Sequence, residues 1–190
     1  MRNIPSKITL TAGFMFAMAF TFSCSPDGFK TVKIGNQVWM AENLNIDIQG
    51  SKCYENNPEN CKKYGRLYDY GIALKACPKG WHLPSDKEWQ MLIDFVGADG
   101  GKKLKAKEGW EEGGNGTDEY GFSALPGGDG SSDGSSDGSF NAVGKLGNWW
   151  SATENDASDA YRRSMYYSSA DVGRYNYDKA SFFSVRCVQD

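Results

Sequence analysis

Histidine is nearly absent from this chain, with one residue, His82, among 190. That scarcity removes the commonest general base and the commonest metal ligand, and no nucleophile elbow, phosphate loop or HExxH motif stands in their place. Glu111 and Glu112 are adjacent in a glycine-rich stretch, a spacing that says little for a glycosidase pair. The chain is therefore read as a non-enzyme. Clustered basic residues are also missing, which argues against nucleic acid as a partner, because phosphate recognition needs a cationic surface. The one extended apolar run, Ile8 to Phe22, has 15 residues, short of the roughly 20 that a helix needs to cross a bilayer.

What that N-terminal segment does have is the layout of a signal peptide. Arg2 and Lys7 precede the apolar run, and Ser23 stands before Cys24. The organisation expected is a signal peptide over 1–23, a tether over 24–30 and one domain over 31–190. FTFSC resembles a bacterial lipobox, with Thr21 where Leu is usual, and that resemblance implies acylation of Cys24 and a lipid-membrane anchor. Ser25 after the lipid Cys resembles outer-membrane sorting, so the address expected is the cell envelope, at the outer membrane or cell surface. Without Arg2 and Lys7, the 21 basic residues fall to 19 against 24 acidic ones, so the processed chain is mildly acidic.

Setting Cys24 aside leaves Cys53, Cys61, Cys77 and Cys187, an even set in a chain that carries an export signal. Three pairings are possible, and proximity favours Cys53 with Cys61. A zinc site fits poorly, since there is no close Cys pair and only His82 to join it. Abundant aromatics, many glycines and few long helical patterns point to a loop-rich α+β domain with short helices and small antiparallel sheets. Thr31 to Met40 reads as a hairpin turned at Gly35 and Asn36, residues 49–63 as a polar loop, and Leu67 to Ala76 as a short helix stopped by Pro78. Asp99 to Lys107 reads as a short helical piece with a solvated lysine face. Residues 109–148 read as a glycine-rich segment pegged down by Trp110, Tyr120, Phe122, Leu125, Phe140 and Leu146, and Trp149 to Val188 as strands.

The best-specified element lies within GWHLPSDKEWQMLIDFV, residues 80–96. Ser85 and Glu88 have capping-box spacing. Trp89, Leu92, Ile93 and Val96 form one apolar stripe, and Gly97 can end the helix. Together with TVKIGNQVWMAENLN, YGRLYDYGIALKACPKGWHLPSDKEW, NGTDEYGFSALPGG, GNWWSATE and SFFSVRCVQD, in this order over residues 31–190, it resembles the Fibrobacter succinogenes major paralogous domain. WHLPSDKEW and the closing SVRCV also look like segments of formylglycine-generating-enzyme-like domains. This looser resemblance implies a C-type-lectin-like fold, in which a Cys beside the first helix commonly bridges to the last strand, as Cys77 to Cys187 would here. The copper-binding cysteine pair of the formylglycine-generating enzymes has no counterpart outside these four. The EPN or QPD signature of calcium-dependent lectins is also missing, so neither chemistry carries over.

The function expected is recognition or adhesion at the cell surface, with a glycan or surface protein as ligand; the alternative is a structural or assembly component of the envelope. Flat aromatic faces stack on sugar rings while amides and carboxylates hold hydroxyls. The candidates are Trp110, Trp150, Tyr161, Tyr167, Tyr175 and Tyr177, with Glu154, Asn155 and Asp156 nearby. Trp149 and Trp150 are consecutive on a strand and point to opposite faces, so one of them is expected to be exposed. No cofactor is expected, and His82 is read as structural. In GGDGSSDGSSDGS, Asp129, Asp133 and Asp137 recur every four residues, and calcium is the metal such oxygens would suit. The spacing matches no established calcium loop, and a flexible insertion is the favoured reading.

Overall fold

The computed structural model describes residues 23–24, 28–131 and 139–190. The segment 1–22, residues 25–27 of the tether, and Asp133 and Asp137 lie outside the described residues, so neither the signal-peptide reading nor the full aspartate repeat is addressed by the fold.

The chain opens with β1 (Ser23–Cys24), β2 (Lys30–Ile34) and β3 (Gln37–Met40). The tight turn between β2 and β3 needs a glycine, because Gly35 has φ +60° and a Cβ there would also lie 3.0 Å from the Phe95 ring. Where a polar loop was expected over 49–63, a 3₁₀ turn (Tyr54–Asn56) leads into α1 (Pro58–Tyr64). The helix-start signals are local: the Asn57 side chain accepts from the Glu59 amide, and Pro58 occupies the first turn, where its missing N–H costs nothing. β4 (Leu67–Tyr68) precedes α2 (Tyr70–Ala76), whose start is set by Asp69 accepting from the Ile72 amide at 2.8 Å.

Next come β5 (Trp81–His82) and α3 (Asp86–Val96). Both arms of the capping box at Ser85 and Glu88 are made, and Trp89, Leu92 and Val96 are buried. α4 (Gly100–Leu104) is followed by the long middle segment with its small hairpin, β6 (Asp129–Ser131) and β7 (Ser139–Asn141). The last strands are β8 (Leu146–Glu154), β9 (Asp159–Tyr166), β10 (Gly173–Asp178), β11 (Phe183–Ser184) and β12 (Val188–Gln189).

These elements make an α+β domain with two five-stranded sheets, ordered β1-β2-β3-β12-β5 and β10-β9-β8-β11-β4. The final strand sits inside the first sheet, antiparallel to both β3 and β5. Among the named strands of the described residues, one pairing departs from the antiparallel expectation: β11 runs parallel to β8, because the chain returns to β8 after the β9–β10 excursion. Disulfides join Cys53 to Cys61 and Cys77 to Cys187. The second ties the end of α2 to the residue before β12.

β8 is apolar on both faces, and this corrects the expectation for the tryptophan pair. Trp149 packs with Trp39, Trp89, Phe122 and Met165, while Trp150 packs with Tyr68, Tyr70, Phe183 and Val185. Both are 0% exposed, because the strand lies between two core layers and has no solvent side. A further correction concerns the lysines after α3. Lys105 is buried, and its ammonium donates to the carbonyls of Tyr166 (3.1 Å), Tyr167 (3.3 Å) and Ser169 (2.9 Å). It fastens the loop after β9 and is not part of a solvated face.

The polar centre of the fold is Arg186, fully buried. Its guanidinium donates to Asn43 Oδ1 at 3.2 and 2.7 Å, to the Met40 carbonyl at 3.2 Å and to the Phe122 carbonyl. Asn43 Oδ1 also accepts from Trp149 Nε1 at 2.8 Å, and its amide donates to the Tyr64 carbonyl. Burial pushes the Arg186 pKa down to about 9, against the opposing charges of Asp118 and Glu42. It therefore remains a cation at neutral pH, with buried oxygens as its hydrogen-bond partners.

Candidate ligand-binding face

The sequence candidates do not gather at one place. Trp110 is buried, with its indole N–H donating to the Ala124 carbonyl at 3.0 Å and Lys105 over its ring. Trp150 donates to the Tyr68 carbonyl at 2.8 Å. Neither ring can meet a ligand. Both were misjudged for one reason: a peg that closes a core and a ring that greets a sugar have the same sequence signature.

Tyr161 faces the side of the second sheet toward α3. There the Arg174 guanidinium covers its ring at 3.6 Å while pairing with Asp86 at 2.8 Å. Asp86 also takes the buried Arg163 at 2.6 Å, so this is a stacked ion network that anchors the hairpin to the start of α3. Tyr167 packs against Tyr166 in a tilted contact with centroids 4.6 Å apart, and a hydrogen bond with Glu112 raises its pKa. It borders a shallow groove of about 310 Å³ beside Gly114 and Asn115.

Glu154, Asn155 and Asp156 form the turn from β8 to β9. Asp156 Oδ1 accepts from the amides of Ser158 and Asp159, both at 2.8 Å, and Asn155 donates to Asp156 Oδ2. Lys179 reaches Glu154 at 3.3 Å and the Asp156 carbonyl at 2.7 Å. This turn uses its polar groups to hold its own shape and to tie down the end of β10.

What remains is Tyr175 and Tyr177, on β10 at the free edge of the second sheet. They are two residues apart, so they share a face, and at 56% and 48% they are among the most exposed large side chains of the described residues. The register pairs Tyr175 with Arg162 and Tyr177 with Ala160. The Arg162 guanidinium lies 5.3 Å from the Tyr175 ring, 5.1 Å from the Tyr177 ring and 5.1 Å from Phe183. It hydrogen-bonds Asn148 Oδ1, and Asn148 Nδ2 in turn donates to Asp129 Oδ2 at 3.1 Å. Arg162 Nε, although buried, has no hydrogen-bond partner.

Electrostatically the two charges hold each other. Burial raises the Asp129 pKa against the pull of Arg162, Asn141 and Asn148. Burial likewise lowers that of Arg162 against Asp129, Tyr177 and Tyr175. Asp129, one of three aspartates whose oxygens are weighed for calcium against a flexible insertion, is thus occupied with Asn148 and Arg162. Among the described residues no cluster of three or more His, Cys, Asp or Glu is placed to hold a metal.

The Fibrobacter succinogenes major domain matches residues 32–189 of the chain. The chain belongs to that family. No curated protein and no solved structure matches it.

Within this Fibrobacter major domain, the blocks that carry the family resemblance meet at Arg186. Asn43, Phe122, Trp149 and Arg186 come from four of them, and the Ser85–Glu88 capping box comes from another. Those blocks therefore encode scaffold. Tyr175, Tyr177, Arg162 and Asp129 lie outside them, and of the face only Asn148 comes from a block. Arg162 and Asn148 escaped the sequence reading because their place depends on cross-strand register. The alternation in RYNYD was the one local signal for the ring pair.

His82 bridges two carboxylates, with Nε2 2.8 Å from Glu88 and Nδ1 2.7 Å from Asp190. Burial would lower its pKa, but the hydrogen bonds and charges of Asp190 and Glu88 outweigh it and raise the pKa. It clasps the end of the first sheet to the start of α3.

Proposed function

We propose that this Fibrobacter major domain protein is a non-catalytic binding module, held in the cell envelope by an acylated Cys24 and used for recognition or adhesion with a glycan or surface protein as ligand. The observation that carries the reading is the Tyr175–Tyr177 ring pair, exposed on a free sheet edge and backed by Arg162, Asn148 and Asp129. Exposed aromatic area of this kind, rimmed by polar groups, is characteristic of recognition surfaces. A C-type-lectin-like architecture is consistent with the last strand lying among the first ones and with the Cys77–Cys187 bridge.

The lipid anchor is supported by the FTFSC segment. In the fold, the backbone of Cys24 pairs with Lys30 at the edge of the first sheet, so an acyl group on Cys24 would sit close to the domain. Two measurements test the reading. Metabolic labelling with a palmitate analogue should mark the wild-type chain and not Cys24→Ala. Cells displaying the wild type should be retained on glycan-coated or envelope-protein-coated surfaces, and cells displaying Tyr175→Ala/Tyr177→Ala should not; equal retention of both would overturn the assignment of this face.

A further inference from the structure

We propose that the β9–β10 face takes an uncharged pyranoside, with the sugar ring lying on Tyr175 and its hydroxyls bound by the half-buried Asp129 and Arg162, which the buried Asn148 holds in place. The inference rests on the reading of this face as the binding site and adds the chemical class of its ligand.

Tyr175 is the platform because of the residue two positions before it. Gly173 shares its face of the strand, and the ring folds back into the space that a side chain at 173 would fill. A Cβ there would stand 2.4 Å from Tyr175 Cε2 and 3.1 Å from Cζ and Oη. The glycine does not have positive φ, so its role is steric: it lets the ring lie along the strand. A ring held this way offers an open plane and not a socket. A plane suits the C–H face of a sugar ring, whereas an apolar peptide side chain gains most from enclosure.

The polar side of the face selects against charge. Arg162 is already balanced by Asp129, and Asn148 bridges them by accepting from one and donating to the other. An anionic ligand would compete with Asp129 for the guanidinium, and a cationic one would compete with Arg162 for the carboxylate. Either exchange strips a half-buried pair of its partner. A polyol leaves the pair intact, because its hydroxyls both donate and accept. They can use the spare acceptor capacity of the half-buried Asp129.

The test is isothermal titration of the detergent-solubilised full chain with neutral gluco-, galacto-, manno- and xylo-oligosaccharides, and with oligogalacturonates as the anionic comparison. It uses the wild type, Tyr175→Ala and Gly173→Ala. At least one neutral series should bind. Tyr175→Ala should lose about tenfold in affinity, equivalent to ~1.4 kcal/mol. Gly173→Ala should lose affinity severalfold with its melting temperature unchanged, because only the far end of the Tyr175 ring must move. Oligogalacturonates should bind more weakly than the best neutral series. The proposal is overturned if no neutral series binds, if the anionic series binds better, or if binding is indifferent to both substitutions. Surface retention of the Tyr175→Ala/Tyr177→Ala variant then separates the two readings. Retention lost without any neutral-sugar binding removes the ligand class and keeps the face, and retention unaffected removes the face as well.

Discussion

The two disulfides close loops of very different size, and that difference yields the most quantitative prediction of the structure. Cys77 and Cys187 are separated by 110 residues, Cys53 and Cys61 by 8. A cross-link stabilises by restricting the unfolded chain, roughly in proportion to the logarithm of the loop it closes. On that relation the long bridge contributes about 4.8 kcal/mol and the short one about 2.5 kcal/mol at 25 °C. Each bridge joins a buried cysteine, Cys187 or Cys61, to a half-buried one, Cys77 or Cys53, so loop length is the main difference between them. Equilibrium urea unfolding of Cys77→Ala/Cys187→Ala and Cys53→Ala/Cys61→Ala should therefore show the first losing about twice as much stability as the second. In a thermal scan, at about 2–4 °C per kcal/mol for a domain of this size, the long-bridge variant should melt roughly 10–19 °C lower. Equal losses, or a larger loss for the short bridge, would refute the loop-closure reasoning.

Other consequences of the packing are open to measurement. Asn43→Ala removes the shared acceptor of Arg186 and Trp149 and leaves a buried cation under-coordinated, so urea unfolding should show a loss of about 3–5 kcal/mol; a loss below about 1 kcal/mol would mean that the backbone carbonyls suffice. Lys105→Met keeps the aliphatic stem but strands the three carbonyls it serves, and should cost about 1–3 kcal/mol, with faster amide exchange confined to residues 166–170. The pKa of His82 is raised above its ordinary value of about 6.5. Its contribution to stability is therefore complete below about 6.5 and lost as pH rises through the folded-state value. Melting temperature should decline over that range in the wild type and stay flatter in His82→Gln. The Glu88 pKa is lowered, burial being outweighed by the hydrogen bonds from Ser85 and His82, so a second decline is expected as pH falls through the carboxylate range.

Features written in a few adjacent residues were legible in the sequence. The hairpin around Gly35 and the helix begun at Ser85 each depend on contacts within one turn or one strand pair. α1 carried an equally local signal, Asn57 followed by Pro58, which the expectation of a polar loop passed over. What the sequence could not show was which surfaces are covered. Trp149 and Trp150 alternate as a half-buried strand would, and only the stacking of α3 on one side and of Tyr68, Tyr70 and Phe183 on the other makes both interior. Lys105 looks like its neighbours Lys102 and Lys103 until the loop after β9 is brought against it. The binding face divides the same way: Tyr175 and Tyr177 can be picked from RYNYD, but Arg162 and Asn148 join them only through register with β9 and β8.

The placing of β12 between β3 and β5 also dictates an order of events. A chain that emerges from its N-terminus can shut the Cys53–Cys61 ring almost at once, yet Cys77 must wait for 110 further residues before its partner exists. Throughout that interval only wrong mates, Cys24, Cys53 and Cys61, stand upstream of its thiol. Early closure of the small ring would remove two of those mates, leaving the long bridge to tie the last strand into place between β3 and β5.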